Sequence, residues 1–171
     1  GVTIDGRNFG STREGSYVSF GDVKVTEYVS WSDDRLVVQV PQGAVGNLKV
    51  TVTTPGGASN GEYFNALSVW YLAEGYTGGD FDTWVLVQNP GAEEAEVTLT
   101  FQLPPGYEAE PHSFILAAGS RQSIHLDELE GLADTDVSTK VTANKPVVAE
   151  RAMYFVYEGR AGGHDSIGYS P

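Results

Sequence analysis

The sequence predicts an all-β chain folded as two β-sandwiches in series, residues 1–66 and 67–171. Three observations carry that expectation. Apolar residues recur with a period of two in short runs, the pattern of a strand with one face buried. Glycine and proline punctuate those runs, and the 21 glycines and eight prolines follow no period, so they mark tight turns. A chain of 171 residues is long for one small β-domain and comfortable for two.

In the first region Val18 and Phe20 lead into a Gly21-Asp22 turn. Leu36, Val38 and Val40 alternate with Arg35 and Gln39 until Pro41 stops the run. Leu48, Val50 and Val52 alternate with Lys49, Thr51 and Thr53 ahead of Pro55-Gly56-Gly57. In the second region Val97, Leu99, Phe101 and Leu103 alternate with polar residues up to Pro104-Pro105-Gly106, and shorter alternations follow around Ile124 and from Val137 to Val141. Leu126 to Leu132 is the one place for a helical turn. Two runs, Trp84–Val87 and Ala152–Tyr157, are apolar on both faces, which predicts strands at the middle of a sheet with both sides covered. About seven strands are expected in this region.

Five ordered pieces of the first region resemble the IPT/TIG domain, the immunoglobulin-like fold shared by plexins, some transcription factors and many bacterial surface proteins. They are Val2–Gly10 with its Gly6-Arg7-Asn8-Phe9-Gly10 loop, Val18–Gly21, Trp31–Asp34, Val40–Ala44 and Val50–Gly57. The resemblance covers residues 1–66 and implies an immunoglobulin-like sandwich. A proline-bearing strand and a glycine-rich loop normally precede the Val-Thr-Ile run. Both are missing here, which implies a sandwich with an open edge. Trp70–Gly75, Phe81–Pro90, Val148–Phe155 and Gly163–Gly168 are similar to a β-rich domain of unassigned function that recurs, often in tandem, in secreted bacterial proteins. Both resemblances imply an extracellular or cell-surface address. A start in mid-strand at Gly1 and a stop at Pro171 suggest a fragment or a processed product.

The formal charge of −13 falls as −2 on residues 1–66 and −11 on residues 67–171. Nucleic acid is not an expected partner, because phosphate contacts need clustered Lys and Arg. No run of 18 apolar residues is present, so no membrane insertion is expected. Absence of cysteine removes disulfides, thiolate catalysis and Cys-based zinc sites.

Charged residues beside apolar strands need partners, and Glu74, Asp82, Glu150, Arg151, His164 and Asp165 form the expected structural charge network. Glu150 and Arg151 project to opposite faces of their strand, so Arg151 is expected to receive Glu74 or Asp82 through a two-bond fork. Trp70, Tyr71, Tyr76 and Trp84 are candidate ligand-binding rings, with most aromatics of this region expected in the core or at the junction of the units. His112, His125 and His164 have no metal-knuckle spacing and read as surface histidines. No cofactor is expected. Asp80, Asp82, Asp134 and Asp136 are the calcium candidates, although neither acidic loop follows the twelve-residue calcium pattern and a solvated loop explains both. No catalytic residues are expected, since no nucleophile elbow or phosphate-cradling loop is present.

The resulting expectation is a non-catalytic, extracellular structural or adhesive module of a bacterial surface protein or fibre. Its partners are neighbouring copies of itself or adjacent domains of a longer chain, with polymerisation by strand donation at the open edge. The alternative is a carbohydrate-binding accessory region of a larger secreted polysaccharide-degrading enzyme, with glycans as partners.

Overall fold

The computed structural model describes residues 1–171, the side chain of Tyr157 excepted. The chain divides into two compact units, Gly1–Ala66 and Leu67–Pro171. Both are built from antiparallel strands, and the fold is all-β.

The first unit holds β1 (Val2–Asp5), β2 (Tyr17–Phe20), β3 (Val23–Lys24), β4 (Tyr28–Trp31), β5 (Arg35–Val38), β6 (Gly46–Thr54), β7 (Gly57–Ala58) and β8 (Glu62–Ala66). One sheet runs β1-β5-β4; the other runs β3-β2-β6-β7, with β8 also paired to β6. Val18, Phe20, Leu36, Val38, Val50 and Val52 form the core between them, the inward positions of the period-two runs. Strand β1 is an edge strand hydrogen-bonded to β5. The Gly6–Gly10 loop is tied to the Trp31–Asp34 turn. The Phe9 amide donates to the Asp33 carbonyl (2.9 Å), the Gly10 amide to Asp33 Oδ1 (2.9 Å), and the Trp31 indole N–H to the Gly10 carbonyl (3.0 Å). The buried Phe9 ring folds over Gly6, where an added Cβ would stand 2.2 Å from Phe9 Cζ. Glycine at position 6 is therefore a packing requirement.

The second unit holds β9 (Ser68–Leu72), β10 (Phe81–Gln88), β11 (Ala95–Gln102), β12 (His112–Leu116), β13 (Arg121–His125), a single 3-10 turn (Leu126–Glu128), β14 (Ser138–Ala143), β15 (Val148–Tyr157) and β16 (Arg160–Ile167). Two four-stranded sheets, β13-β10-β15-β16 and β12-β11-β14-β9, enclose a core that includes Val85, Val87, Val97, Leu99, Val141 and Ala149. The tail crosses from one sheet to the other. The Gly168 amide donates to the Ala149 carbonyl (2.9 Å), and Tyr169 and Tyr71 exchange two backbone hydrogen bonds. Asn89, fully buried after β10, donates to the Glu93, Leu116 and Ala117 carbonyls and accepts the Gly91 amide, so its polar atoms are satisfied.

Strands β10 and β15 sit at the centre of their sheet, but only one of their faces is covered. Thr83, Val85 and Val87 are buried on the core side, whereas Tyr154 is 54% and Val156 47% exposed on the other. The apolar outer residues thus form a solvent-facing patch rather than a second packing layer. Tyr157, the last ring of that run, lies outside the described side chains. Beside β15 stands the strand that alternation does not reveal: the exposed, glycine-bearing β16 pairs with β15 from Glu150↔Ile167 onward. No helix among the described residues is long and apolar enough to cross a membrane.

Candidate functional site

The outer face of the β13-β10-β15-β16 sheet gathers the chemistry of the second unit. Side chains alternate across a strand, and directly paired residues share a face. The register pairs Asp82 with Tyr154, Trp84 with both Ala152 and His125, Leu86 with Glu150, and Ala152 with Asp165. Rings, aliphatic side chains and carboxylates therefore alternate on one open surface. A broad depression of about 580 Å³ runs across it, lined by Leu86, Glu150, Ala152, Tyr154, Gly163 and Asp165. Gly163 has no side chain because the Tyr154 ring lies over it, with Cδ1 2.7 Å from where a Cβ would be. The aromatic ring covers the glycine of the edge strand.

At one end of this face the Trp84 and His125 rings stack with centroids 4.2 Å apart and planes 4° from parallel. The chain turns immediately after β13, and the buried Leu126 pins that turn so that Asp127 and Glu128 return to the imidazole. His125 Nε2 lies 3.4 Å from Asp82 Oδ1 and 3.3 Å from Asp127 Oδ2, while Nδ1 lies 3.3 Å from Glu128 Oε1. Asp127 Oδ2 is itself anchored by the Thr83 amide at 2.9 Å. Nε2 is buried and has no hydrogen-bond partner among the described residues.

A second constellation lies on the core side of the same sheet. Arg151 is 5% exposed and faces inward from β15. Its Nη1 donates to Glu74 Oε2 at 3.4 Å, and its Nη2 is 3.1 Å from His164 Nδ1. Guanidinium has only donors, so Nδ1 accepts and the ring proton resides on Nε2. The expected two-bond fork is not formed: Glu74 meets Arg151 through one long contact, because the imidazole occupies the other arm. Asp82 is not an Arg151 partner, since it projects to the outer face beside His125. Glu150 and Asp165 also lie on the outer face, away from Arg151.

The four candidate rings do not share one surface. Trp70 packs on the core and its indole N–H donates to the Val147 carbonyl at 2.8 Å. Tyr71 is 42% exposed on β9, in the other sheet. Tyr76 packs edge-on against Phe81, and its hydroxyl lies 3.3 Å from Asp134 Oδ1. Charge from Asp134, followed by desolvation and the hydrogen bond itself, raises the Tyr76 phenol above its ordinary pKa. Only Trp84 belongs to the outer face. The calcium candidates are likewise dispersed. Asp134 is engaged by Tyr76 and Asp136 pairs with Tyr76 through the backbone. Asp80 offers its carbonyl to the Val156 amide at 3.1 Å. Asp82 is the one of the four in an ion-competent cluster, and its companions are His125 and Asp127. Spacing along the chain hid the His125 cluster, because Asp82 reaches it from the neighbouring strand β10 while only Asp127 and Glu128 are close in sequence. Tyr154 was hidden in a run that reads as core.

Residues 1–66 match the model of the IPT/TIG domain over their whole length. This unit is an IPT/TIG domain. A 71-residue stretch, 39% of the chain, is 44% identical to a cyclomaltodextrin glucanotransferase of Paenibacillus macerans and covers 10% of that protein. A cyclomaltodextrin glucanotransferase of Niallia circulans is 46% identical over 61 residues, which are 34% of this chain and 8% of that protein. The IPT/TIG-bearing chain thus spans about a tenth of the length of the curated relatives it matches. Among solved structures, Thermotoga maritima 1070 superposes with a TM-score of 0.55 at 21% identity, covering 62% of this chain and 96% of that one. That likeness is one of fold.

Proposed function

We propose that this chain is a non-catalytic, carbohydrate-binding accessory region of a larger secreted enzyme that acts on polysaccharide. The observation that carries the reading is the relationship to cyclomaltodextrin glucanotransferases, whose name points to α-linked glucan as the polymer handled. The match is confined to about a tenth of those proteins, which favours an accessory part over the catalytic one. The outer sheet face supports the reading independently. Sugar rings present flat C–H faces to aromatic side chains and hydroxyls to carboxylates, and sites of this kind combine apolar lining with a few polar groups. Tyr154 supplies an exposed ring, with Asp82, Glu150 and Asp165 around it.

Retention of the chain on insoluble starch, and calorimetry with maltoheptaose, test the proposal. Tyr154→Ala should weaken binding about fivefold or more, the equivalent of roughly 1 kcal/mol of ring contact, while the half-exposed ring's loss from over Gly163 lowers the melting temperature without abolishing cooperative unfolding. No retention on starch, cellulose or xylan, or retention indifferent to Tyr154→Ala, would sink it.

A further inference from the structure

We infer that His125 Nε2, Asp82 Oδ1 and Asp127 Oδ2 form a binding site for a divalent transition-metal ion of the zinc class. The inference stands on side-chain geometry and does not depend on the glycan reading. The contacts of Nε2 with the two carboxylates, 3.4 and 3.3 Å, are long for charge-assisted hydrogen bonds, which favour about 2.7–2.9 Å. They match the edge of a tetrahedron instead. Ligands held about 2.0–2.1 Å from a central zinc stand roughly 3.3–3.4 Å from one another. The three donor atoms lie within 4.8 Å of one another.

The state of the imidazole supplies the second observation. Nε2 is buried and unpartnered among the described residues, an arrangement that costs free energy unless something else engages the lone pair. Meanwhile Nδ1 lies 3.3 Å from Glu128 Oε1, so a closer approach of that carboxylate on metal binding would hold the Nδ1 proton and leave Nε2 for the ion. Stacking on Trp84 holds the ring plane, and the Thr83 amide holds Asp127. A nitrogen donor in a compact three-ligand set suits zinc over calcium, which takes six to eight oxygens at longer range. Two carboxylates balance the charge of the ion. Asp82, whose side chain is 61% exposed, leaves the fourth position on the solvent side, open to water or to a hydroxyl of a bound ligand.

The test uses the whole chain stripped with chelator and titrated with Zn²⁺ at about pH 7.5, where protons compete less than in acid. One equivalent should bind, the melting temperature should rise with zinc concentration, and Co²⁺ in its place should give the visible absorption of a tetrahedral nitrogen–oxygen site. Asp82→Asn, at an exposed position that leaves the fold intact, should weaken zinc at least tenfold, and His125→Gln should abolish the cobalt spectrum. His164→Ala should change neither. Absence of stoichiometric zinc binding overturns the inference, as does binding that survives Asp82→Asn and His125→Gln or that is lost with His164→Ala. Preference for Ca²⁺ over Zn²⁺ overturns it as well. A cluster that is only an ion pair would show no cobalt spectrum.

Discussion

At the scale of single residues, several side chains are defined by what presses on them. Gly6 is glycine because the Phe9 ring occupies the space of its Cβ, and Gly163 because Tyr154 does. The Tyr76 phenol shows the same dependence in its electrostatics. Asp134 disfavours the phenolate, so the folded pKa lies above the ordinary 10.0. A group whose folded pKa is raised contributes stability that is fully present below its unfolded pKa and is lost as pH rises through the folded one. In a titration followed by the Tyr76 ring resonances, Asp134→Asn should therefore lower the pH at which this phenol ionises. A Tyr76 titration that is unchanged in the variant would contradict this. The last of these pairings is not visible along the chain, because Tyr76 and Asp134 are 58 residues apart.

At the scale of elements, the alternating runs marked β2, β5, β6, β11 and β14 because each buries one face, and burial writes a period of two into the sequence. Strand β16 escaped that signal. Its eight residues are all exposed and two are glycines, so its place is set by backbone pairing with β15 and by the aromatic rings of that strand. The end of β16 also fastens the two sheets, and Gly168 is the residue at the crossing. A Cβ there would stand 2.8 Å from Leu72 Cδ2 and 3.2–3.3 Å from the Tyr71 and Ala149 carbonyls. Gly168→Val should accordingly destabilise the second unit by about 1–3 kcal/mol in urea denaturation. It should also speed amide exchange at Tyr71 and Tyr169, whose mutual hydrogen bonds depend on the crossing. Unchanged protection at those two amides would mean that the tail docks by other contacts.

At the scale of the whole molecule, each unit has its own core: Val18, Phe20, Leu36 and Val38 are fully buried in one, and Val87, Leu99, Leu132 and Val141 in the other. Residues 1–66 and 67–171, produced separately, should each unfold in one cooperative transition. The smaller is expected to be the less stable, since a shorter chain buries a smaller fraction of its surface. A fragment without a cooperative transition would show that its core is incomplete. The all-β class was legible from the chain, because turn residues and alternation are local properties that neighbours along the sequence impose, and the IPT/TIG character of residues 1–66 was legible as a resemblance carried by five ordered motifs. The surface chemistry was not. Trp84 and Tyr154 sit in runs that read as doubly buried, and His125 reads as an isolated histidine until β10 and the turn after β13 bring Asp82 and Asp127 to it. Composition and periodicity state which side chains must leave water; which remaining ones meet is decided by strand order and register, and those exist only once the sheet is assembled.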